Sequence, residues 1–164
     1  MAVDAKSGHD ISKMGTGYFK SPIGWVEIVA TSEAVCALKF VERCRRDVFT
    51  NACIDGALKQ VTAYFQGTRR HFDLPLFFRG TPFQQRVWRQ LLQIPFGKTV
   101  SYKDIAQAVG RPRAVRAVGA ANGKNPVSII AACHRVIGSD GSLTGYGGGL
   151  WRKKWLLEHE GVTL

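Results

Sequence analysis

The pair Cys133-His134, closing the apolar stretch Ser128-Ile129-Ile130-Ala131-Ala132, is where the residue types of this chain could do chemistry. A cysteine thiol is mostly protonated near neutral pH and becomes a nucleophile when a base or a positive charge lies close. His134 or Arg135 could supply either. The core-like run before Cys133 places it at the end of a buried segment, and the glycine-rich Gly145-Tyr146-Gly147-Gly148-Gly149 follows closely, which suits a pocket. Neighbours in an extended chain point to opposite faces, so direct contact between Cys133 and His134 does not follow from adjacency, and a bridging water is an alternative path for the proton. A buried structural cysteine followed by a surface histidine satisfies the same pattern.

Elements on either side must position such a pair. After the polar leader MAVDAKSGHDISKMGTG, Tyr18 to Lys20 and Trp25 to Ala30 read as strands around the turn Ser21-Pro22-Ile23-Gly24, and Val35 to Val41 as a third, in an antiparallel meander. Ile54, Leu58, Val61 and Phe65 recur at helical spacing before Gly67. His71 to Phe78 contains Pro75 and reads as an edge strand or a linker, with a domain boundary near Gly80. Thr81-Pro82-Phe83-Gln84 is a capping box that opens a helix with Phe83, Val87, Trp88, Leu91 and Leu92 on its buried stripe. Ser101 caps a short helix through Val109, ended by Gly110, and a second compact helix runs from Arg113 to Ala121. Two short helices around a glycine-containing turn form the pattern of a helix-turn-helix, although a plain helical hairpin has it too. In the second helix Ala114, Ala117, Gly119, Ala120 and Ala121 permit close approach of a sugar-phosphate backbone while Arg113 and Arg116 supply charge; the small residues would serve tight helix packing equally well.

Bulk properties narrow the classes. A chain of 164 residues, 45% hydrophobic and 21% charged, can bury a core without disulfide or metal staples. No apolar run approaches membrane-spanning length, and the leader lacks the apolar centre of a secretory signal, so an intracellular, reducing location is expected. Cys36, Cys44, Cys53 and Cys133 show no zinc spacing and are expected as free thiols, with no metal and no cofactor. The net charge is +11, and residues 81–164 carry most of it, with 12 Lys+Arg against 4 Asp+Glu. Such a field attracts polyanions without identifying one.

With those motifs in view, the chain resembles the O6-alkylguanine-DNA alkyltransferases, also called methylated-DNA-protein-cysteine methyltransferases. The likeness runs from about Gly17 to Gly161 and includes TPFQQRVW, SYKDIA, RAVGAANGKNP, CHRVIG, LTGYGGG and RKKWLLEHEG in the family's order. It implies an α/β (α+β) architecture: a small N-terminal antiparallel-sheet, RNase H-like domain over 1–80 and a mostly helical domain with a helix-turn-helix over 81–164. It further implies that Cys133 accepts the alkyl group in a single self-inactivating turnover. His134 would remove the thiol proton through a water, oriented by Glu160 in a helix from Trp151 to Glu160. Tyr102 would donate to N3 of the leaving guanine, and Asn125 would fix the turn before the active-site strand. Val136, Tyr146, Gly147 and Gly148 would line the base pocket. Arg116 would fill the space left by the flipped nucleotide, with Ala117, Gly119, Ala121, Lys103 and Ser139 along the DNA. The partner implied is double-stranded DNA carrying O6-alkylguanine, bound through the minor groove by a monomer, with cooperative loading left open, in the nucleoid region of a prokaryote or the nucleus of a eukaryote.

One departure is Ala132, where the family usually has proline before the cysteine; retained activity is expected. Two rival readings stand beside the family one. A Cys-His hydrolase would turn over repeatedly, and a non-enzymatic DNA binder would need none of Cys133, His134, Asn125, Tyr102 and Glu160.

Overall fold

The computed structural model describes residues 2–3, 13–46 and 48–164, and the chain divides into two compact units, Met1–Arg79 and Gly80–Leu164. The first contains β1 (Ala2–Val3), β2 (Gly15–Ser21), β3 (Gly24–Ala30), β4 (Val35–Val41), α1 (Ala52–Phe65) and β5 (Leu76–Phe77). The meander forms as its alternation dictates: β2 pairs antiparallel with β3, and β3 with β4. Val26, Ile28 and Ala30 point inward at every second position. The β2–β3 turn closes with Ser21 Oγ donating to Gly24 O at 2.7 Å. Asn51 caps α1 by accepting from Ile54 N at 2.9 Å. The helix packs against β2 at Gly17, where an added Cβ would lie 2.5 Å from Ile54 Cγ2, so only glycine allows so close an approach.

The sheet is wider than the meander and not wholly antiparallel. Its order is β1-β5-β4-β3-β2, and β5 pairs parallel with both β4 and β1. The segment expected as an edge strand or linker is thus interior. Two-residue strands carry no periodicity, which is why neither the inner place of β5 nor a strand within the leader is visible in the pattern of side chains. Residues 4–12 of the leader lie outside the described residues, and its last three, Gly15 to Gly17, belong to β2.

The second unit holds α2 (Pro82–Leu91), β6 (Val100–Ser101), α3 (Tyr102–Ala108), α4 (Val115–Gly123), a single 3-10 turn (Cys133–Arg135), β7 (Val136–Ile137) and α5 (Leu150–His159). The capping box of α2 is present in both directions, Thr81 Oγ1 accepting from Gln84 N and Gln84 Oε1 from Thr81 N. Trp88 on its buried stripe donates from Nε1 to Ala121 O at 2.8 Å, which ties α2 to α4. A second capping box, Ser101 with Asp104, starts α3. Gly110 at φ +73 takes the turn out of it. The following helix starts at Val115 rather than Arg113, because Arg111 to Ala114 forms a turn closed by Ala114 N donating to Arg111 O. No helix among the described residues is long and apolar enough to cross a membrane.

The small parallel pair β6·β7 organises the site. Val100 pairs with Val136 and Ser101 with Ile137. Tyr102 follows β6 directly and Cys133–Arg135 precedes β7 directly, so the ladder brings the start of α3 and the cysteine turn side by side.

Candidate active site

Asn125 shapes the approach to Cys133. Its Nδ2 donates to Ala131 O at 2.7 Å and its Oδ1 accepts from Val127 N at 3.1 Å, all buried, so one amide brackets the segment 125–131. Inside that bracket Ile129 has φ +72, the sole non-glycine residue with positive φ among the described residues, and Ile130 N donates to Ser128 O at 2.8 Å across it. A β-branched residue in this region is strained, and full burial of Ile129 holds it there. The segment is therefore a string of tight turns where an active-site strand was expected.

A second narrow turn, Cys133 N donating to Ala131 O at 2.7 Å, has Ala132 at its centre with φ −76 and ψ 65. That φ lies within proline's range. Ala132→Pro is accordingly expected to raise stability by about 0.4–1 kcal/mol through the unfolded chain, read as a higher Tm. A lowered Tm would show that the turn cannot take the ring.

Cys133 is 4% exposed. Burial pushes its thiol up, while the neighbouring Asn125, the Lys153 charge and Ser128 pull it down; the net direction is upward, so the resting group is a thiol. His134 is fully buried, and its Nε2 lies 2.7 Å from Glu160 Oε1. A carboxylate can only accept, so Nε2 carries the proton and Nδ1 keeps its lone pair. Nδ1 is buried and has no hydrogen-bond partner. Burial pulls the imidazole below its ordinary value, and the Glu160 hydrogen bond and charge oppose that. The arrangement is an oriented neutral base adjacent in sequence to a nucleophile, with its proton-accepting nitrogen unused.

Glu160 is the C-terminal cap of α5 rather than its last helical residue. It also receives Arg135 Nε at 2.8 Å on Oε2, Arg135 Nη2 at 3.0 Å on Oε1 and Gly97 N at 3.1 Å on Oε2. Burial raises its carboxyl, but His134 and Arg135 outweigh that and hold it well below the usual carboxylate range. Arg135, one of two groups that could have activated the thiol, instead spends its guanidinium on Glu160 and on Ile94 O.

Tyr102 Oη donates to Thr144 O at 2.7 Å. Lys153 Nζ donates to the same oxygen at 2.7 Å and to Val136 O. Lys153 is fully buried, and burial lowers its ammonium to about 8 against the opposing influence of Cys133. Sequence reasoning missed this lysine. The available signal was its place on the α5 stripe Lys153-Leu156-Leu157-Glu160, at spacings of three and four. It also missed Asn122, which lies on the buried stripe of α4 with Val118 and Ala121.

Among the pocket candidates, Val136 and Tyr146 are buried, Tyr146 Oη without a hydrogen-bond partner, while Gly147 is exposed and Gly148 half-buried. Arg116, Ala117, Lys103 and Ser139 are exposed and Gly119 half-buried. Ala121 does not join them. It is 3% exposed, buried with Val118 and Asn122 on α4, and its carbonyl receives Trp88 Nε1.

Comparison with known proteins adds independent findings. Residues 82–162 match the family described as 6-O-methylguanine DNA methyltransferase, DNA binding domain, and residues 14–78 match its ribonuclease-like domain. The chain is 48% identical over 145 residues to the methylated-DNA–protein-cysteine methyltransferase of Mycobacterium tuberculosis, covering 85% of this chain and 88% of that one. It is 45% identical over 147 residues to the protein of the same name from Methanosarcina barkeri, covering 86% and 93%. Among solved structures, M. tuberculosis O6-methylguanine methyltransferase superposes with a TM-score of 0.82 at 45% identity over 90% of this chain and 93% of that one. M. tuberculosis OGT in complex with DNA does so with 0.81 at 48% identity over 87% and 90%.

Proposed function

Since this chain belongs to the methylated-DNA–protein-cysteine methyltransferase family, we propose that it repairs DNA by moving the alkyl group of O6-alkylguanine, chiefly O6-methylguanine, onto Cys133 Sγ. The single observation that carries the assignment is the buried His134, whose Nε2 is committed to Glu160 while Nδ1 has no partner.

The reaction balances as follows. Cys133 gives its proton through a water to His134 Nδ1, and the imidazolium formed faces the Glu160 carboxylate. The thiolate attacks the alkyl carbon, an S–C bond forms, and the C–O6 bond breaks with its electron pair going to the guanine. The Tyr102 hydroxyl, turned from Thr144 O toward N3, gives up its proton there and so neutralises the departing base. The product thioether offers no group that water or a second thiol displaces readily, so the protein is consumed after one turnover.

DNA is the partner. An alkylated base in a duplex is out of reach of a buried thiol, so the nucleotide rotates into the pocket at an unstacking cost of a few kcal/mol. Arg116, exposed on α4, takes the vacated place in the stack. The small residues Ala117 and Gly119 admit the minor-groove backbone beside it, with Lys103 and Ser139 meeting phosphates. A monomer suffices for this chemistry, in whichever compartment holds the chromosome.

Intact-protein mass spectrometry after incubation with a duplex carrying O6-methylguanine tests the proposal. One added methyl group, saturating at one per chain and mapping to Cys133, is expected. Release of methanol with unmodified protein would indicate a hydrolase, and binding without added mass a non-enzymatic DNA binder.

A further inference from the structure

The first unit carries free thiols that alkyl transfer leaves unused, Cys36, Cys44 and Cys53. Two of them come to the same end of the packing between α1 and the sheet. Gly17, Ile28 and Leu38 are register partners across β2, β3 and β4, so these positions share one face. The helix covers that face, since a Cβ on Gly17 would meet Ile54 and Leu58. Cys36 lies two residues before Leu38, on the covered face, at the place where the ladder slips. Val29 pairs with Ala37 but Ala30 with Val35, which makes Cys36 the extra residue of a β-bulge. Its thiol donates to Ala34 O at 3.6 Å.

The first turn of α1 is fastened to that same point. Asn51 Nδ2 donates to Ala30 O at 3.3 Å, opposite Val35, while Asn51 Oδ1 caps the helix at Ile54 N. Cys53 stands between the cap and Ile54. Cys36 and Cys53 are both half-buried, whereas Cys44 is exposed. Burial pushes both half-buried thiols up, and Cys36 adds to the rise at Cys53, an influence that requires the two sulfurs to be near each other.

We propose that Cys36 and Cys53 are an oxidative modification site, which a low-molecular-weight disulfide converts to an intramolecular disulfide joining the start of α1 to β4. One thiol gives its proton to solvent, attacks a sulfur of the reagent and releases half of it as a thiol. The second, deprotonated in turn, attacks the mixed disulfide at the protein sulfur and releases the other half. Two protein thiols are thus oxidised and one reagent disulfide is reduced to two thiols. Since burial disfavours both thiolates, the exchange is slow, and the finished bond has no stabilised thiolate to return to on reduction. The cross-link closes residues 36–53, a stretch that includes the exposed Phe49, and restrains it in the unfolded chain.

The test incubates the full chain with glutathione disulfide, blocks remaining thiols with N-ethylmaleimide, and applies non-reducing peptide mapping and thermal denaturation. A bond joining the Cys36 and Cys53 peptides is expected, reversed by dithiothreitol, with Tm higher by roughly 5 °C or more than in the reduced chain. Cys36→Ser and Cys53→Ser should each abolish both the bond and the rise in Tm. Full blocking of both thiols after prolonged oxidation, a glutathionyl group on each, or a bond from either to Cys44 would overturn the proposal. A Cys36 to Cys53 bond with Tm unchanged or lowered would overturn it as well, because the bond would then form only in opened chains. None of these readouts depends on alkyl transfer, so the proposal and the reading of Cys133 fail separately.

Discussion

Cys133→Ala is expected to abolish alkyl transfer completely while leaving affinity for alkylated duplex DNA within a few-fold of the unsubstituted protein. Every electron pair that forms the new bond comes from Sγ, and a methyl side chain has none to offer. Cys36, Cys44 and Cys53 belong to the other unit, and burial raises the thiols of Cys36 and Cys53, so they do not take over the role. The proposed binding surface lies elsewhere: Arg116, Ala117, Lys103 and Ser139 are exposed, whereas Cys133 is buried. Loss of one sulfur from a 4% exposed site costs about 1 kcal/mol, not enough to unfold a domain. Mass spectrometry for transfer and a salt-controlled binding titration for affinity check the two halves separately. Methyl transfer at an undiminished rate would show that the nucleophile is another residue.

Glu160→Ala should be the most destabilising single change at the site. It leaves the Arg135 guanidinium, whose side chain is 8% exposed, without its counter-charge. It also orphans His134 Nε2 and Gly97 N. Breaking a buried pair from one side costs about 3–5 kcal/mol, a large share of the 5–15 kcal/mol typical of a domain. The transfer rate should fall as well, because nothing then holds the proton on Nε2 and the lone pair on Nδ1. Glu160→Gln separates shape from charge. In the folded protein the Glu160 carboxyl is held well below its ordinary value of 4.5, so the unfolded chain takes up its proton first on acidification. Its contribution is complete above that ordinary value and is lost progressively as pH falls beneath it. Urea denaturation of the unsubstituted protein should therefore show stability dropping from pH 5 downward, and Glu160→Gln should flatten that slope while lowering stability at pH 7. Equal slopes in the two proteins would mean that the carboxylate is not the group protonated.

How far these expectations could be read beforehand differs by element. The Thr81 capping box, the Ser101 cap, the meander and the α1 stripe were legible because each is local: a cap needs residues three apart, and a face needs a period. The two helices around Gly110 were legible for the same reason. The inner position of β5 and the pairing of β6 with β7 were not, since their two-residue strands take partners far away in the chain. Ala121 was assigned to the DNA face from its small size, but size alone does not say which side of α4 it occupies.

The composition, the Cys133-His134 pair and the motif order identify the family, and through it the candidate nucleophile, base and carboxylate, because residue identity limits what each side chain can do. Which groups meet was decided only by the tertiary structure. Parallel pairing of β6 and β7 sets Tyr102 beside the cysteine turn, the Asn125 bracket bends that segment through Ile129, and α5 delivers Glu160 and Lys153 to it. Arg135 could have served the thiol as readily as the carboxylate by sequence. Packing resolves that choice, because a buried guanidinium is tolerated only beside its counter-charge, and that counter-charge arrives from 25 residues further along the chain.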